Sequence, residues 1–598
     1  MEGTRLFDLL DRFQGDRELK VALAGRSGGQ WVTYSSSEYK KIATDFSCGL
    51  LRMGYRKGDR VAVVTNSRPE WNFIDMGMMQ AGVIGVPVYT TISHDEYVYI
   101  LNHAAPRMVI VSDKIQYNRL KPILDKVASI EAIYSFNEIP GIHNWKEIVE
   151  LGASCDAETR EELDRLKASI TPDDICALIY TSGTTGLNKG VMLSHANILS
   201  NAIETAVRTD IEYGCKALSI LPICHIFERM MNYHFQYNGV SVYYVENMGT
   251  IMPNIQEVKP NVFNAVPRIL ERIYWGIVSA RKDLPFFKRC LFDRALAFAQ
   301  RYDPERRYGC IDRMRYRFYS RKVYSHWREA LGGNLSMIIC GGAPLNEQMA
   351  RVFAAMGLDM IEGYGLTETS PVIAVGCVKG QRLVRIGTVG QVLPSLEVKL
   401  LDDGEILCKG PSVMKGYYKD EAMTAESIDA DGFFHTGDIG RFDADGYLTV
   451  TDRKKELFKL SNGKYVAPQV LENKLRASFY IDQVMAVGEN EKFASVIISP
   501  DFRRLYEWCA QAHIQYETNE DLLVQPDVLA LYQHEINDVN KTLGVTEQIK
   551  RFRLVPDEWN SMSGELSPTL KLRRKAIAAK YHALIEEIYE KKGRGGHK

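Results

Sequence analysis

Short apolar runs alternate with amphipathic stretches along most of the chain. "DRVAVVTNS", "PEWNFIDMGMMQAG" and "VIGVPVYT" follow one another and predict strand, helix, strand. "PRMVIVSD" and "NLSMIICGGAPL" are further apolar runs that close on turn or capping residues, as buried strands do. The recurrence predicts an α/β protein whose parallel sheets are covered by helices. The pattern shifts near "DGYLTVTDRKKELFKLSNGKYVAPQ", where two short strands surround a dense charged cluster. The chain beyond carries its own strands in "DQVMAVGEN" and "ASVIISPD". A domain boundary is therefore expected at Arg453 to Lys455, dividing 1–454 from 455–598. There is no internal repeat of solenoid period and no low-complexity region.

Composition narrows the picture. A chain of 598 residues is too long for one ordinary domain, and 45% hydrophobic with 25% charged residues suits a globular protein. A formal charge of -1 supplies no global positive field, which argues against a dedicated nucleic-acid binder. The 11 cysteines are scattered singly, with no CxxC pair, so a reducing compartment is expected, without a disulfide framework or a structural zinc. "MEGTRLFDLLDRFQGDR" has no signal-peptide core, and no run approaches the roughly 18 apolar residues of a spanning helix. The expectation is a soluble, cytoplasmic protein.

Candidate chemistry begins at "YTSGTTGLNKG", Tyr180 to Gly190. A nucleotide P-loop needs glycine immediately before its lysine and a helix directly after it. Here Asn188 precedes Lys189, Gly190 follows, and "VML" predicts another short strand, with Ser194 capping a helix over "HANILSNAIETAV". What remains is a hairpin-like loop with free N–H groups, the hydroxyls of Thr181, Ser182, Thr184 and Thr185, and one lysine. That is chemistry for gripping a polyphosphate; the plain alternative is a flexible Gly/Thr turn. "IEGYGLTETSP" sets Tyr364 between Gly363 and Gly365, where a ring can stack on a base. Thr367 and Glu368 follow, and a carboxylate near phosphates is a natural magnesium ligand. In "FFHTGDIGRFDADGYLTVTDRKKE", Asp438 can accept from two ribose hydroxyls, with Arg453 reinforcing it. Any one of the three stretches alone could be a turn or a solvated charge run.

Together, "YTSGTTGLNKGV", "GYGLTETSP" and "HTGDIGRFDADGYLTVTDRKKE" resemble the adenylate-forming superfamily of acyl-CoA synthetases, peptide-synthetase adenylation domains and firefly luciferase. The resemblance runs from "WVTYSSSEYKKIATDFSCGLLRMGYRKGDRVAVV" to "SPTLKLRRKAI". "LPICHIFERMM", "NAVPRILERIYWGI", "MIICGGAPLN" and "KLSNGKYVAPQVLEN" are similar to the long-chain fatty-acid–CoA ligases within it. One residue departs from the pattern: Asn188 stands where the family keeps proline before its lysine. That costs loop rigidity but removes no charge or donor.

The resemblance implies a large N-terminal domain of helix-covered β-sheets with a small β-barrel subdomain, and a small mobile α+β C-terminal domain. It implies two half-reactions. A fatty acid and ATP give acyl-AMP, and CoA then takes the acyl group; an acyl-AMP ligase serving a carrier-protein thiol is the alternative. Thr181, Ser182, Gly183, Thr184, Thr185, Gly186 and Lys189 would close on the β- and γ-phosphates. Glu368 and Thr184 would hold Mg2+, with Thr367 near the α-phosphate. Gly363, Tyr364 and Gly365 would meet adenine, and Asp438 and Arg453 the ribose. On residue type alone, Lys571 is one cation in a basic helix; the resemblance makes it the adenylation lysine. Lys455 would be the hinge, and Gly463 and Lys464 would meet CoA.

His225, among apolar neighbours in "PICHIFER", reads as a core histidine, whereas the resemblance places it in the acyl pocket. Leu270, Tyr274 and Trp275 are candidate pocket walls, though side chains at that helical spacing are also ordinary core. Glu228 and Arg229 are expected to pair with each other. Residues 281–330 carry 14 Lys/Arg against 6 Asp/Glu, interleaved with aromatics, a composition suited to an anionic bilayer surface, to a solvated helical pair or to an RNA surface, the last disfavoured by the near-neutral total charge. The partners expected are a fatty acid, ATP, CoA, that membrane surface and a second copy of the chain as a homodimer, with no nucleic acid.

Overall fold

The apolar runs read as strands are strands. Arg60–Val64 and Ile84–Val88 pair in parallel, joined by the helix Pro69–Gln80. Pro69 occupies the first turn of that helix, where its missing N–H leaves no bond unmade. The computed structural model describes residues 4–182, 188–378, 384–454, 456–545, 547–567 and 570–589. The calls on Gly183, Thr184, Thr185, Gly186 and Lys455 lie outside these residues. The chain divides into two compact units, the first 1–400, 407–436 and 442–449, the second 401–406, 437–441 and 450–598.

Unit 1 holds two large mixed sheets. One has eight strands, in the order Gly416–Tyr417, Asn188–Ser194, Ile175–Ser182, Ile84–Val88, Arg60–Val64, Met108–Val111, Ala132–Ser135 and His143–Asn144. The other has nine and runs from Gln391–Val392 through Val372–Val375, Asp359–Gly365, Met337–Cys340, Val262–Ala265, Lys216–Ser219, Ser241–Tyr244 and Leu23–Ser27 to Gln30–Tyr34. Their central strands are parallel and fully buried, which is why they read as unbroken apolar runs. Helices cover them closely. A Cβ on Gly152 would lie 1.7 Å from the carbonyl oxygen of Asp45, so Trp145–Ala153 can pack on Ser36–Arg52 only with glycine there.

The helix Ile226–Asn238 carries four of the buried polar residues of this core, Glu228, Arg229, Asn232 and His234. The expected Glu228–Arg229 pair does not form. Neighbouring positions on a helix point about 100° apart, and the two side chains go to different partners. Arg229 reaches Asp75 at 2.6 Å, and Tyr233 donates to the same carboxylate. Glu228 accepts from Ser219 and, at 3.1 Å, from Asn264. Burial pushes the Glu228 carboxyl up to about 7.

Unit 2 contains a three-stranded sheet in which Ile481–Val487 runs antiparallel to Ser495–Pro500, itself parallel to Arg551–Leu554. Helices Pro468–Leu475, Phe502–Gln511 and Pro526–Asn540 bury Leu471, Leu475, Leu505, Val528 and Tyr532 in its core. All 11 cysteines are free thiols; six are buried and only Cys290 and Cys310 are exposed. Among the described residues no helix is long and apolar enough to cross a membrane, and no group of three His, Cys, Asp or Glu could hold a metal ion.

Candidate active site

In unit 1 two paired strands flank the Gly/Thr segment. Ile175–Ser182 and Asn188–Ser194 pair antiparallel, with Thr181 opposite Lys189 and Ser182 opposite Asn188. Ser194 ends the hairpin and caps the helix His195–Thr209, its hydroxyl accepting from the Asn197 N–H at 3.2 Å. The cap fixes where the second strand stops and so holds the hairpin's base.

The outer edge of that hairpin is bound by Met414 to Tyr418. Gly416–Tyr417 pairs with Met192 and Val191, and the N–H groups of Lys415 and Tyr418 donate to the carbonyls of Met192 and Gly190. The same five residues grip the turn Thr367–Thr369 from the other side. The Met414 N–H donates to the Glu368 carbonyl at 2.8 Å, and the Tyr417 hydroxyl donates to Glu368 Oε1 at 2.9 Å. Lys189 Nζ lies 4.9 Å from the centre of the Tyr417 ring, within cation–π range. Burial, and then the Glu368 carboxylate, hold the Tyr417 hydroxyl well above its ordinary pKa and so protonated. Tyr417 was missing from the residues named above. A tyrosine in "MKGYYKD" looks like core, and its partner is 49 residues distant.

Gly363, Tyr364 and Gly365 form the end of the strand Asp359–Gly365, with Tyr364 half-buried opposite Ala374. Gly365 admits no side chain, because a Cβ would lie 1.7 Å from the Pro371 carbonyl oxygen. That approach folds the chain back after Thr367, which is buried, and sets Glu368 at the turn. Directly before Gly363, burial pushes Glu362 up to about 8. His225 caps the helix Ile226–Asn238, its ring accepting from the Phe227 N–H at 3.2 Å. A Cβ on Gly341 would lie 3.4 Å from both the Phe227 ring and the Gly363 carbonyl, so the start of the His225 helix and the end of the Tyr364 strand pack against one glycine. The structure thus brings Lys189, Glu368 and Tyr417 together, and packs Phe227, two residues after the His225 cap, near Gly363.

Leu270 and Tyr274 are buried in the helix Pro267–Ser279, and the Tyr274 hydroxyl accepts from Gln300 at 3.1 Å. A cavity of about 890 Å³ opens beside the neighbouring face of that helix, against Ile269, Arg272, Ile273, Gly276 and Ile277. Ile251, Phe292, Trp327 and Leu331 complete its apolar wall, and Lys288, Lys322 and His326 stand among its polar lining. Leu270, Tyr274 and Trp275 do not line it. No periodicity reports this cavity, since its walls come from separate segments between Met248 and Leu331.

Unit 2 holds the remaining candidates. Asp438 is buried and pairs with Arg453, Nε to Oδ1 at 3.0 Å. Lys454 is clasped by Asp403 at 2.6 Å and Glu405 at 2.7 Å. Glu405 also accepts from the N–H of Gly437, a glycine at φ 70°. Gly463, at φ 85°, turns the hairpin between Phe458–Lys459 and Tyr465–Val466, and Lys464 is exposed beside it. Lys571 is exposed and does not lie in a helix. The Ser567 N–H donates to its carbonyl at 2.8 Å, and the helix begins only at Arg574.

The chain matches the family described as AMP-binding enzyme over residues 10–418, and AMP-binding enzyme C-terminal domain over residues 455–593. It is 31% identical over 572 residues to the long-chain-fatty-acid–CoA ligase FadD15 of Mycobacterium bovis, covering 94% of this chain and 93% of that protein. It is 31% identical to the peroxisomal long chain acyl-CoA synthetase 7 of Arabidopsis thaliana, covering 94% and 81%. Against long-chain-fatty-acid–CoA ligase 1 of Homo sapiens the identity is 30%, covering 93% and 82%. The adenylation domain of a carboxylate reductase from Mycobacterium chelonae superposes with a TM-score of 0.75 at 22% identity, covering 98% of this chain and 92% of that one. A Mycobacterium tuberculosis fatty acyl CoA synthetase gives 0.62 at 20%, covering 97% and 99%.

Proposed function

Because the chain belongs to the AMP-binding enzyme family, we propose that it joins a long-chain fatty acid to CoA at the expense of ATP, through an acyl-AMP. The relatives matching nearly its whole length are named as long-chain ligases. Within the chain, the observation that carries the reading is the convergence of Lys189 and Glu368 on Tyr417 beside the hairpin.

In the first step a carboxylate oxygen bonds to the α-phosphorus and the bond to the bridging oxygen breaks, releasing pyrophosphate. In the second the CoA thiolate adds to the acyl carbonyl and AMP leaves. Neither step needs a protein nucleophile, which agrees with the burial of most thiols. The protein aligns the groups and offsets charge. Lys189 and the Thr181–Gly186 hairpin loop would meet the β- and γ-phosphates, and Thr367 the α-phosphate. Tyr364 and its flanking glycines would take the adenine. Asp438, oriented by Arg453, would accept from the ribose hydroxyls. Lys571 would balance charge between the carboxylate and the α-phosphate, and Gly463 and Lys464 would face the pantetheine arm. Lys455 would be the pivot between a large domain, 1–454, and a small one, 455–598.

Mg2+ fits this set. It is usually held by one or two carboxylates together with substrate phosphates, and Glu368 is a carboxylate at the hairpin in a chain whose described residues form no cage of their own. Bound there, it would neutralise phosphate charge. The cavity suits the distal part of an acyl chain, its size lying within the usual span for ligand pockets of roughly 300–1,000 Å³. Leu270, Tyr274, Trp275 and His225 would form the wall nearer the carboxylate. Residues 281–330 would rest on an anionic membrane.

The test is incubation with Mg-ATP, CoA and fatty acids of graded length, read by mass spectrometry. Acid-dependent AMP with matching acyl-CoA is expected. Acyl-AMP without thioester would move the reading to a carrier-protein thiol, and no AMP from any acid would overturn it.

A further inference from the structure

The chain around Lys571 is held at two places within unit 2. The first is a short backbone pairing. The Lys571 N–H donates to Ser567 Oγ at 3.0 Å, Leu572 bridges antiparallel to Leu566, and the Arg573 N–H donates to the Glu565 carbonyl at 2.7 Å. Leu570, directly before Lys571, stands at φ 60°, a left-handed conformation that a leucine keeps only where its surroundings impose it.

The second is Arg574, the first residue of the helix Arg574–Lys580. Its side chain is 24% exposed and its fork is fully engaged. Nη1 and Nη2 donate to the two oxygens of Glu472, each at 2.7 Å, and Nε donates to Glu456 at 3.0 Å. Both acceptors are themselves fixed. Glu472 accepts from the Ala486 N–H at 2.8 Å, within the strand Ile481–Val487, and Glu456 accepts from Gln469 at 3.0 Å. Asp452 is buried beside the same groups, and burial pushes its carboxyl up to about 7.

We propose that Arg574 is a positioning residue for acyl-AMP formation, its fork on Glu472 and Glu456 mounting the Lys571 segment rigidly on the sheet of unit 2. The inference rests on the role given to Lys571 above. That lysine is exposed on a flexible four-carbon stem, so its aim depends on where its backbone is held. Stability alone does not account for the arrangement, since a buried ion pair can often be exchanged for apolar side chains without loss. A bidentate fork adds what apolar packing lacks, a fixed direction as well as a fixed distance. Direction matters most three residues from a group that must meet a reacting centre, where a small displacement costs orders of magnitude in rate. The left-handed Leu570 agrees with this, because a strained residue persists only in a segment that its surroundings over-determine.

The experiment uses the full chain and measures each half-reaction in single turnover: acyl-AMP from fatty acid and Mg-ATP, and thioester from supplied acyl-AMP and CoA. Arg574→Lys keeps the charge but not the fork. It should lower the first step about tenfold and leave the second, and the thermal midpoint, near wild type. Arg574→Met/Glu472→Met removes the pair together and so leaves neither partner's charge buried alone; it should stay folded and lose the first step at least as strongly. Added to Lys571→Ala, Arg574→Lys should cost less than about twofold, because nothing is left to aim. A wild-type first step in Arg574→Lys would overturn the proposal, as would equal loss of both steps or an undiminished effect in the Lys571→Ala background. Lys571→Ala alone separates the two readings. If it spares the first step, the role of Lys571 falls and the mount with it; if it abolishes that step while Arg574→Lys does not lower it, only the mount falls.

Discussion

The Tyr417 hydroxyl donates a 2.9 Å hydrogen bond to Oε1 of Glu368 while its ring faces the Lys189 ammonium. One side chain thus orients an acid and a base that are 179 residues apart in sequence. The two contacts can be separated. Tyr417→Phe keeps the ring and deletes the hydrogen bond, which, to a charged group, is worth roughly 1.5–3 kcal/mol. The expected outcome is a tenfold or greater rise in the magnesium or Mg-ATP needed for half-maximal adenylation. Made in a Glu368→Gln background, the same change should add little, because the bond's acceptor charge is already gone. Equal losses in both backgrounds would show that Tyr417 acts elsewhere.

Lys571 is exposed and lies outside the helices of unit 2, so removing its side chain opens no cavity in the core. Lys571→Ala should lower adenylation by about 10²–10³-fold, as deletion of a transition-state charge partner does. Thioester formation from supplied acyl-AMP should stay near wild type. Single-turnover assays of each half-reaction check this, and equal loss in both would refute the role.

Gly276 faces the cavity, and a Cβ there meets nothing within 4 Å. Gly276→Phe should therefore project a ring into the cavity without straining the helix at its Cβ. Excluding about three methylenes costs about 2.4 kcal/mol, roughly a fiftyfold loss of kcat/KM on long chains. Short acids should react unchanged. A uniform loss at all lengths would separate the cavity from the acyl site.

Glu228 offers a pH test of stability. Its carboxyl is raised from 4.5 to about 7 by burial, so between these values the folded state holds a proton that the unfolded state has released. Stability from this group is present at pH 4 and is lost as pH rises through 7, a change on the order of 3 kcal/mol. Glu228→Gln, whose amide can still serve Ser219 and Asn264, should match wild type near pH 4 and exceed it at pH 8. Denaturant midpoints across that range provide the check.

What the sequence disclosed was local. The Ser194 cap, the hairpin around Lys189 and the parallel strands at Arg60–Val64 and Ile84–Val88 follow from alternation, capping and apolar run length, all decided within a few residues. What it hid was the choice of partner over distance. Arg229 takes Asp75, 154 residues away, instead of adjacent Glu228, because the helix turns the neighbours apart. Tyr417 reads as core until the fold brings Glu368 to its hydroxyl. Lys571 reads as helical because basic residues follow it, yet its carbonyl is taken by the Ser567 N–H and the helix begins only at Arg574.

The distribution of thiols makes the protein its own reporter. With six cysteines buried, maleimide chemistry on the native chain should concentrate on Cys290 and Cys310, both in the segment that walls or adjoins the cavity. A polarity-sensitive dye or spin label can therefore be attached there without engineering, leaving the hairpin and the Glu368 turn free of probe. Its signal would report solvent, vesicle or acyl chain at that face while turnover proceeds.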